Sequence, residues 1–218
     1  MLEAVLLDID GTLVVSNDAH AKAWAEALRE FGFDVPFDRI RRWIGMGGDK
    51  ILPLVDSGLD DKHEPGISIL EKRQQIFLHR FAPNLMATPG ALELLDFLRT
   101  AGVLRVAATS AKRTEFEAIT KAAGFFGEID RATTADDADR SKPDADIVRS
   151  ALAKAGADPS HALYLGDTPY DITAAHKAGV RVVALRCGGW SDDELAEADE
   201  VYDTPADLLS RPLLGLLS

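Results

Sequence analysis

The chain has 218 residues, and its 36 aspartates and glutamates outnumber its 24 lysines and arginines, which gives a formal net charge of −12. Hydrophobic residues make up 46% and charged residues 28%, a balance that is typical of a folded globular protein and too apolar for a disordered one. The acidic excess argues against a nucleic-acid binder that neutralises phosphates over a broad surface, and equally against a partner for an anionic membrane. At first sight it also argues against a phosphorylated substrate.

The cysteine count and the hydropathy pattern exclude two further classes. The single cysteine, Cys187, rules out an intramolecular disulfide and a cysteine-built zinc site. No apolar run approaches about 18 residues, and the start of the chain has no basic region, so we expect neither a membrane span nor a signal peptide. We therefore expect a cytoplasmic protein in which Cys187 is a small buried residue. The pattern indicates no oligomeric state.

The predicted elements begin with a buried strand at 3–9. A long segment, 16–84, follows and is predicted to be helical throughout, starting with a helix at 18–31. Beyond it, predicted helices at 91–100, 113–123, 144–155 and 170–178 alternate with predicted strands at 103–109, 162–166, 181–186 and 200–203. Strands that are apolar on both faces and alternate with helices indicate an α/β fold, a parallel sheet with helices on both faces. The simplest organisation is a core of 1–15 and 85–218, interrupted by an insert at 16–84.

Polar residues follow the predicted strands at the edge where parallel α/β sheets bind ligands. A single aspartate or threonine there is more often a cap or turn residue. Here carboxylates, hydroxyls and an ammonium group meet at one edge, and that convergence predicts a functional site. The residues are Asp8 and Asp10 after the first strand, Thr109 and Ser110 after the second, Asp167 and Asp171 after the third, and Lys142 just before a helix.

These motifs resemble those of the haloacid dehalogenase-like hydrolase superfamily of phosphotransferases, in the branch that contains phosphoglycolate phosphatases and β-phosphoglucomutases. The resemblance spans nearly the whole chain. It rests on Asp8-x-Asp10-Gly11-Thr12, the strand ending at Thr109, Lys142-Pro143 and Gly166-Asp167-x-x-x-Asp171. It implies a Rossmann-like parallel sheet core and a small α-helical cap inserted after the first strand, where 16–84 lies.

The resemblance also implies roles for the first two aspartates, and these roles suit carboxylates. Asp8 would be the nucleophile, because a carboxylate can form an aspartyl-phosphate and divide one difficult step into two easier ones. Asp10 would be the general acid to the leaving oxygen and then the general base to water. An ordinary aspartate has a pKa of about 3.9, so we expect the pKa of Asp10 to be raised.

A metal site is implied as well. Two like charges 4 Å apart repel by about 4 kcal/mol at an effective dielectric constant near 20, so clustered carboxylates beside a phosphate need a cation. Oxygen ligands favour Mg²⁺. By resemblance, Asp8, the backbone carbonyl of Asp10 and Asp167 would bind the metal, with Asp171 supporting them.

The remaining core residues would bind the phosphoryl group. The resemblance implies that Lys142 offsets charge on the phosphoryl oxygens and on Asp8. Thr109 and the backbone amide of Ser110 would donate hydrogen bonds to the group in transfer.

The predicted cap offers weaker candidates. His20 is either a cap residue near the hinge, as in several relatives with this cap, or an ordinary polar residue in the first turn of a helix. The stretch 45–50, which ends at Lys50, is either a substrate-specificity loop or a turn between helices. Lys72 and Arg73 are interpreted as helical surface charge rather than as a site for a distal anion of the substrate.

Three functions are compatible with carboxylates, hydroxyls and a lysine at this edge. The first is a Mg²⁺-dependent phosphatase acting on a small phosphorylated metabolite, of the phosphoglycolate or sugar phosphate type. The second is a β-phosphoglucomutase-like phosphomutase, but those mutases carry glutamate at the position of Gly166. The third is a non-enzymatic phosphoacceptor or binding domain, which would lack the insert and the paired Asp8 and Asp10. Haloacid dehalogenases and phosphonatases are excluded because they carry tyrosine and alanine, respectively, where this chain has Asp10. The sequence therefore predicts the phosphatase.

Overall fold

The computed structural model describes residues 2–210, so the outer ends of the predicted core, residue 1 and residues 211–218, lie outside the described residues. Its centre is a six-stranded parallel sheet of order β3-β2-β1-β4-β5-β6. The strands are β1 (Ala4–Leu7), β2 (Leu104–Ala108), β3 (Arg131–Thr133), β4 (Ala162–Gly166), β5 (Arg181–Leu185) and β6 (Glu200–Tyr202). Short apolar runs that are buried on both faces produce such strands.

Helices cover both faces of this sheet, which confirms the predicted Rossmann-like α/β fold. Successive strand residues point to opposite faces, so Val5 and Leu7 join one apolar cluster while Ala4 and Leu6 join the other. The helices after the insert are α5 (Ala91–Thr100), α6 (Arg113–Ala122), α7 (Asp146–Ala155), α8 (Pro169–Lys177), α9 (Asp192–Leu195) and α10 (Pro205–Ser210). The first cluster includes residues of α5 and α6, and the second includes residues of α7 and α8.

The segment between β1 and α5 contains helices and no strand among its described residues. Its helices are α1 (Asn17–Glu30), α2 (Phe37–Arg41), α3 (Gly48–Val55) and α4 (Gly66–Ile76), followed by a π-helical turn (Phe77–Phe81) and a 3₁₀ turn (Ala82–Asn84). A third apolar cluster, with Trp24, Leu28 and Ile51 among its members, draws its buried residues from this segment. The segment thus has a small core of its own beside the sheet.

Three expectations differ from the structure. Residues 16–84 are not helical throughout, because connections that contain Gly32, Gly45 and Pro65 separate the four helices. The edge strand β3 was not predicted, since it is three residues long and lacks an apolar run. Cys187 is exposed rather than buried. Within residues 2–210, no helix combines the length and the apolar character needed to cross a membrane.

Candidate active site

Strand order explains why the predicted residues meet. β1 lies between β2 and β4, and the residues that follow these three strands are Asp8, Thr109 and Asp167. Asp8 and Thr109 line a cavity of about 50 Å³, together with Asp10, Ser110 and Lys142. Asp167 is buried outside this lining. Five of the residues predicted for the core motifs therefore share one cavity.

Asp8 also packs closely against two buried carboxylates outside the cavity lining, and we call Asp8, Asp167 and Asp171 the core carboxylate cluster. One oxygen of each lies within 4.8 Å of the others, and all three side chains are buried. The Lys142 ammonium donates to Asp8 Oδ1 at 2.5 Å and to Asp171 Oδ1 at 2.7 Å. One buried lysine thus bonds to two of the three buried carboxyl groups.

The cluster carries more negative charge than Lys142 can offset. Burial raises the pKa of Asp8 well above its ordinary value; Lys142 opposes this shift, while Asp171 and Asp167 add to it. Burial, followed by repulsion from Asp171, raises the pKa of Asp167 to about 7. Burial alone would lower the pKa of Lys142, but Asp171 and Asp8 outweigh it and the pKa lies above its ordinary value. The raised pKa values keep Lys142 charged and make Asp8 and Asp167 resist ionisation.

The surroundings of Asp167 fit a Mg²⁺ ion. All donors of the cluster are oxygens, the ligands that Mg²⁺ prefers. The Asn17 amide donates to Asp167 Oδ2 at 3.0 Å, while the buried Asn17 Oδ1 has no hydrogen-bond partner among the described residues. The backbone passes close to Asp167 at Gly11 and Gly188. A Cβ atom at Gly11 would lie 2.3 Å from Asp167 Oδ2, and one at Gly188 would lie 1.8 Å from it. A surplus of buried oxygen donors, held in place by close backbone contacts, suits a small divalent cation.

Asp10 lies in a different electrostatic environment. Its Oδ1 accepts a hydrogen bond from the Ser16 hydroxyl at 2.6 Å and lies 2.8 Å from His20 Nε2. Burial raises the pKa of Asp10, but the His20 imidazole and the Ser16 hydroxyl outweigh burial, so the pKa lies below its ordinary value. The expectation of a raised pKa for Asp10 is therefore wrong, because it took no account of a partner from α1.

The predicted phosphate-binding residues line the same cavity as Asp8. Thr109 is buried, and its hydroxyl accepts a hydrogen bond from the backbone amide of Ala111 at 3.0 Å. The Ser110 hydroxyl donates to the Gly45 carbonyl at 3.3 Å. With Lys142, these groups place hydrogen-bond donors and one positive charge along a wall of the cavity. Such a wall suits a phosphoryl group.

Comparison with known proteins decides the family. The chain matches the family model described as haloacid dehalogenase-like hydrolase over residues 5–185, which is most of its length. This chain belongs to that family.

Two relatives that are named as phosphatases match this hydrolase over nearly their whole length. Validoxylamine A 7'-phosphate phosphatase of Streptomyces hygroscopicus is 31% identical over 91% of this chain and 92% of its own. Phosphoglycolate phosphatase of Rhodospirillum rubrum is 30% identical over 95% and 90%. The crystal structure of a hydrolase from Pseudomonas syringae matches with a TM-score of 0.89 at 32% identity, over 96% of this chain and 97% of that one. The predicted family is confirmed, and these relatives agree with a phosphoric monoester hydrolase.

The helical segment of the hydrolase contributes part of the cavity wall. Gly45, Met46, Gly47 and Gly48 line it, which is the placement expected of a specificity loop, and His20 lines it as well. Lys50 instead donates to Asp144, just before α7, at 2.7 Å. The structure thus brings His20 to the site and directs Lys50 to a salt bridge.

Arg73 corrects another interpretation. Rather than lying on the helical surface, it lines the cavity with 12% of its side chain exposed, and it donates to the buried Glu115 at 2.8 Å. Lys72, its neighbour, pairs with Glu30 at 2.7 Å on the outside. Helical periodicity alone did not distinguish the inward from the outward member of this pair.

Several functional contacts of the hydrolase were missed from the sequence. The Thr12 hydroxyl lies 3.0 Å from Asp167 Oδ1, and Asn17 and Ser16 bond to the aspartates described above. Thr12 belongs to the first motif, and Ser16 and Asn17 precede a predicted helix closely, so their positions offered some indication. The Tyr164 hydroxyl contacts Lys142 and Asp171. The sequence offers no indication of these contacts, because Tyr164 lies in a predicted buried strand.

Proposed function

We propose that this hydrolase is a Mg²⁺-dependent phosphatase that cleaves a small phosphorylated metabolite through an aspartyl-phosphate on Asp8. The observation that carries the proposal is the wall of the 50 Å³ cavity. Among the described acidic residues, Asp8 and Asp10 alone line it, and they face Lys142 and the Thr109–Ser110 donors. That volume suits a group of a few heavy atoms, because one water needs about 10–15 Å³ on this measure.

In the first step, a carboxylate oxygen of Asp8 attacks phosphorus and the bond to the leaving oxygen breaks. Asp10 delivers a proton to that oxygen; the proton is drawn from the hydrogen-bonded Asp10–His20 pair, whose atoms lie 2.8 Å apart. Lys142, 2.5 Å from Asp8, holds the nucleophile and offsets charge on the phosphoryl oxygens. The leaving group departs as a neutral alcohol.

In the second step, water attacks the phosphorus of the aspartyl-phosphate. Asp10, now a carboxylate, takes the proton from this water, and the bond between phosphorus and Asp8 breaks. Phosphate leaves and Asp8 is again a carboxylate. The same side chain thus acts as acid and then as base, with Ser16 and His20 holding it in place.

Asp8 and Asp167 would hold the metal with the backbone carbonyl of Asp10. Asp171 would support them, because its Oδ1 is bonded to Lys142 and its Oδ2 accepts from Thr168 Oγ1 at 2.7 Å. When bound, Mg²⁺ supplies positive charge that neutralises the carboxylates and the phosphoryl oxygens.

Residues 16–84 serve as the cap, and residues 1–15 with 85–218 as the catalytic core. A second cavity of about 160 Å³ between them shares Gly47, Gly48, Arg73 and Ser110 with the first. By the same measure it has room for roughly ten water-sized groups, enough for the carbon skeleton of a sugar phosphate. The leaving group would occupy this side.

The test is phosphate release from p-nitrophenyl phosphate, with Mg²⁺ and with a chelator. We expect Mg²⁺-dependent turnover that falls at least about 1,000-fold in Asp8→Asn, because the amide is a poor nucleophile. Asp18→Asn, a change at an exposed aspartate of α1 that pairs with Arg41, is the matched control. An Asp8→Asn enzyme with wild-type turnover would contradict the mechanism.

A substrate panel separates the two enzyme classes. The panel contains phosphoglycolate, hexose 6-phosphates and β-glucose 1-phosphate. We expect phosphate to be released. Conversion of β-glucose 1-phosphate to the 6-phosphate with little phosphate released would show a mutase instead.

A further inference from the structure

Tyr164 is a buried polar residue whose hydroxyl has no role in the mechanism above. It lies in β4 with 0% of its surface exposed, among the apolar residues of the second cluster. A buried phenol must find hydrogen-bond partners, because an unpaired hydroxyl in an apolar interior is costly. The partners of this one belong to the active site.

The hydroxyl touches three groups from three different segments. It lies 2.9 Å from Asp171 Oδ1 and 3.1 Å from the Ala108 carbonyl, either of which can accept its proton. Lys142 Nζ donates to the hydroxyl oxygen at 3.2 Å. Ala108 directly precedes the proposed phosphate-binding Thr109. The phenol thus connects the end of β2, the lysine before α7 and the first turn of α8.

The contacts of Lys142 give this connection its importance. An ammonium group has three protons to donate. Within residues 2–210, the side-chain acceptors recorded for them are three: Asp8 Oδ1, Asp171 Oδ1 and the Tyr164 hydroxyl. Two of these acceptors are carboxylates of the core cluster. Without the phenol, the third proton of the ammonium would have no side-chain acceptor within residues 2–210.

We propose that Tyr164 is a positioning residue that fixes the direction of the Lys142 ammonium toward Asp8 and the transferring phosphoryl group. This inference rests on the proposed phosphatase function. Electrostatic stabilisation of a developing charge depends on donors that are already oriented, and small displacements in such a site lower the rate strongly. Tyr164 does not line the cavity, so the phenol acts through the lysine.

Tyr164→Phe isolates the hydroxyl. The ring is retained, and with it the contact in which Lys142 Nζ lies 5.9 Å from the ring centroid. We expect kcat to fall about tenfold with KM changed less than twofold, because orientation matters most in the transition state. Tyr202→Phe is the matched control: it removes a β6 phenol that donates to Glu200, and it is expected to leave both constants unchanged.

Inhibition separates positioning from a general structural effect. Orthovanadate adopts a five-coordinate geometry like that of the phosphoryl group in transfer, whereas inorganic phosphate resembles the ground state. In Tyr164→Phe we expect the vanadate inhibition constant to rise about tenfold and the phosphate constant to change less than twofold. Loss of packing alone would weaken the two inhibitors equally, and that outcome would overturn the proposal.

Two further outcomes have assigned meanings. If Tyr164→Phe melts near the assay temperature, kinetics and inhibition are measured at 10 °C, below the transition, where the same ratios apply. Unchanged kcat and vanadate inhibition in a folded variant would overturn the role of Tyr164 while leaving the phosphatase intact. A wild-type enzyme that releases no phosphate from any substrate would instead contradict the proposed function.

Discussion

Asp8 and Asp10 are two residues apart on one short segment, yet their surroundings shift their pKa values in opposite directions. Asp8 belongs to a cluster of buried carboxylates that one lysine cannot neutralise, and its pKa is raised. Asp10 faces the helical segment, where His20 and Ser16 satisfy its carboxylate and lower its pKa. Burial acts on both in the same direction. The difference comes from the neighbours that the fold brings to each side chain.

This contrast divides the site into two regions. The sheet side has a deficit of positive charge, which a divalent cation would correct. The helical side is balanced within the chain, since hydrogen bonds from α1 and the turn before it meet the carboxylate of Asp10. A change on the sheet side should therefore alter metal binding, and a change on the helical side should alter proton transfer.

Among the substitutions that test this contrast, Asp167→Asn, on the sheet side, is expected to have the largest effect. Mg²⁺ should raise the melting temperature of the wild type, because a ligand that binds the folded state stabilises it. In the variant we expect that rise to disappear and kcat to fall at least about 100-fold, since one proposed metal ligand is lost. Asp193→Asn, at an exposed position, removes the same charge as a control. A full Mg²⁺-induced rise in Asp167→Asn would refute the metal site.

His20→Ala tests the helical side, with a smaller effect. In this variant Asp10 would keep the hydrogen bond from the Ser16 hydroxyl but lose the imidazole with which it shares a proton. We therefore expect kcat to fall about tenfold, while the Mg²⁺-induced rise in melting temperature is retained. His176→Ala is the control, since His176 is exposed on α8 and faces Asp199. Wild-type kcat in His20→Ala would show that Asp10 transfers protons without this imidazole. Loss of the Mg²⁺-induced rise would show that the two regions are not independent.

The smallest effect is expected for Lys50→Met. Its ammonium is bonded to Asp144, both side chains are partly exposed, and such pairs contribute about 1 kcal/mol or less. We expect kcat/KM to change less than twofold and the melting temperature to fall slightly. A tenfold rise in KM would mean that Lys50 contacts the substrate after all.

The same division separates what the sequence could predict from what it could not. Asp8, Thr109 and Asp167 were predictable because each follows a buried strand, and parallel strands bring their carboxyl ends to one edge. The pKa of Asp10 was mispredicted because its partner comes from a helix. A helical pattern states that His20 lies in a first turn but not what that turn faces.

Arg73 and Tyr164 show two further limits. Arg73 and Lys72 are adjacent on α4. Only the packing of the helical segment against α6 and the cavity shows that the Arg73 side chain points into the cavity. Tyr164 lies in a strand whose apolar neighbours predict burial, and burial was correct. The contact of its hydroxyl with Lys142 depends on a residue 22 positions away in the chain, before α7. No local pattern encodes a contact of that kind.

The glycines around Asp167 limit which substitutions the sequence can accept near the site. A methyl group at Gly188 would overlap the carboxylate of Asp167, and one at Gly11 would overlap both Asp167 and the Asn17 amide. Gly188 lies in the turn after β5, a segment that contributes no acidic side chain to the cluster. The tolerance of the site to mutation is thus limited by the lack of space for a side chain at two backbone positions, as well as by its charged residues. Exchanging a surface acid leaves this geometry alone, whereas adding a single carbon at either glycine displaces a proposed metal ligand.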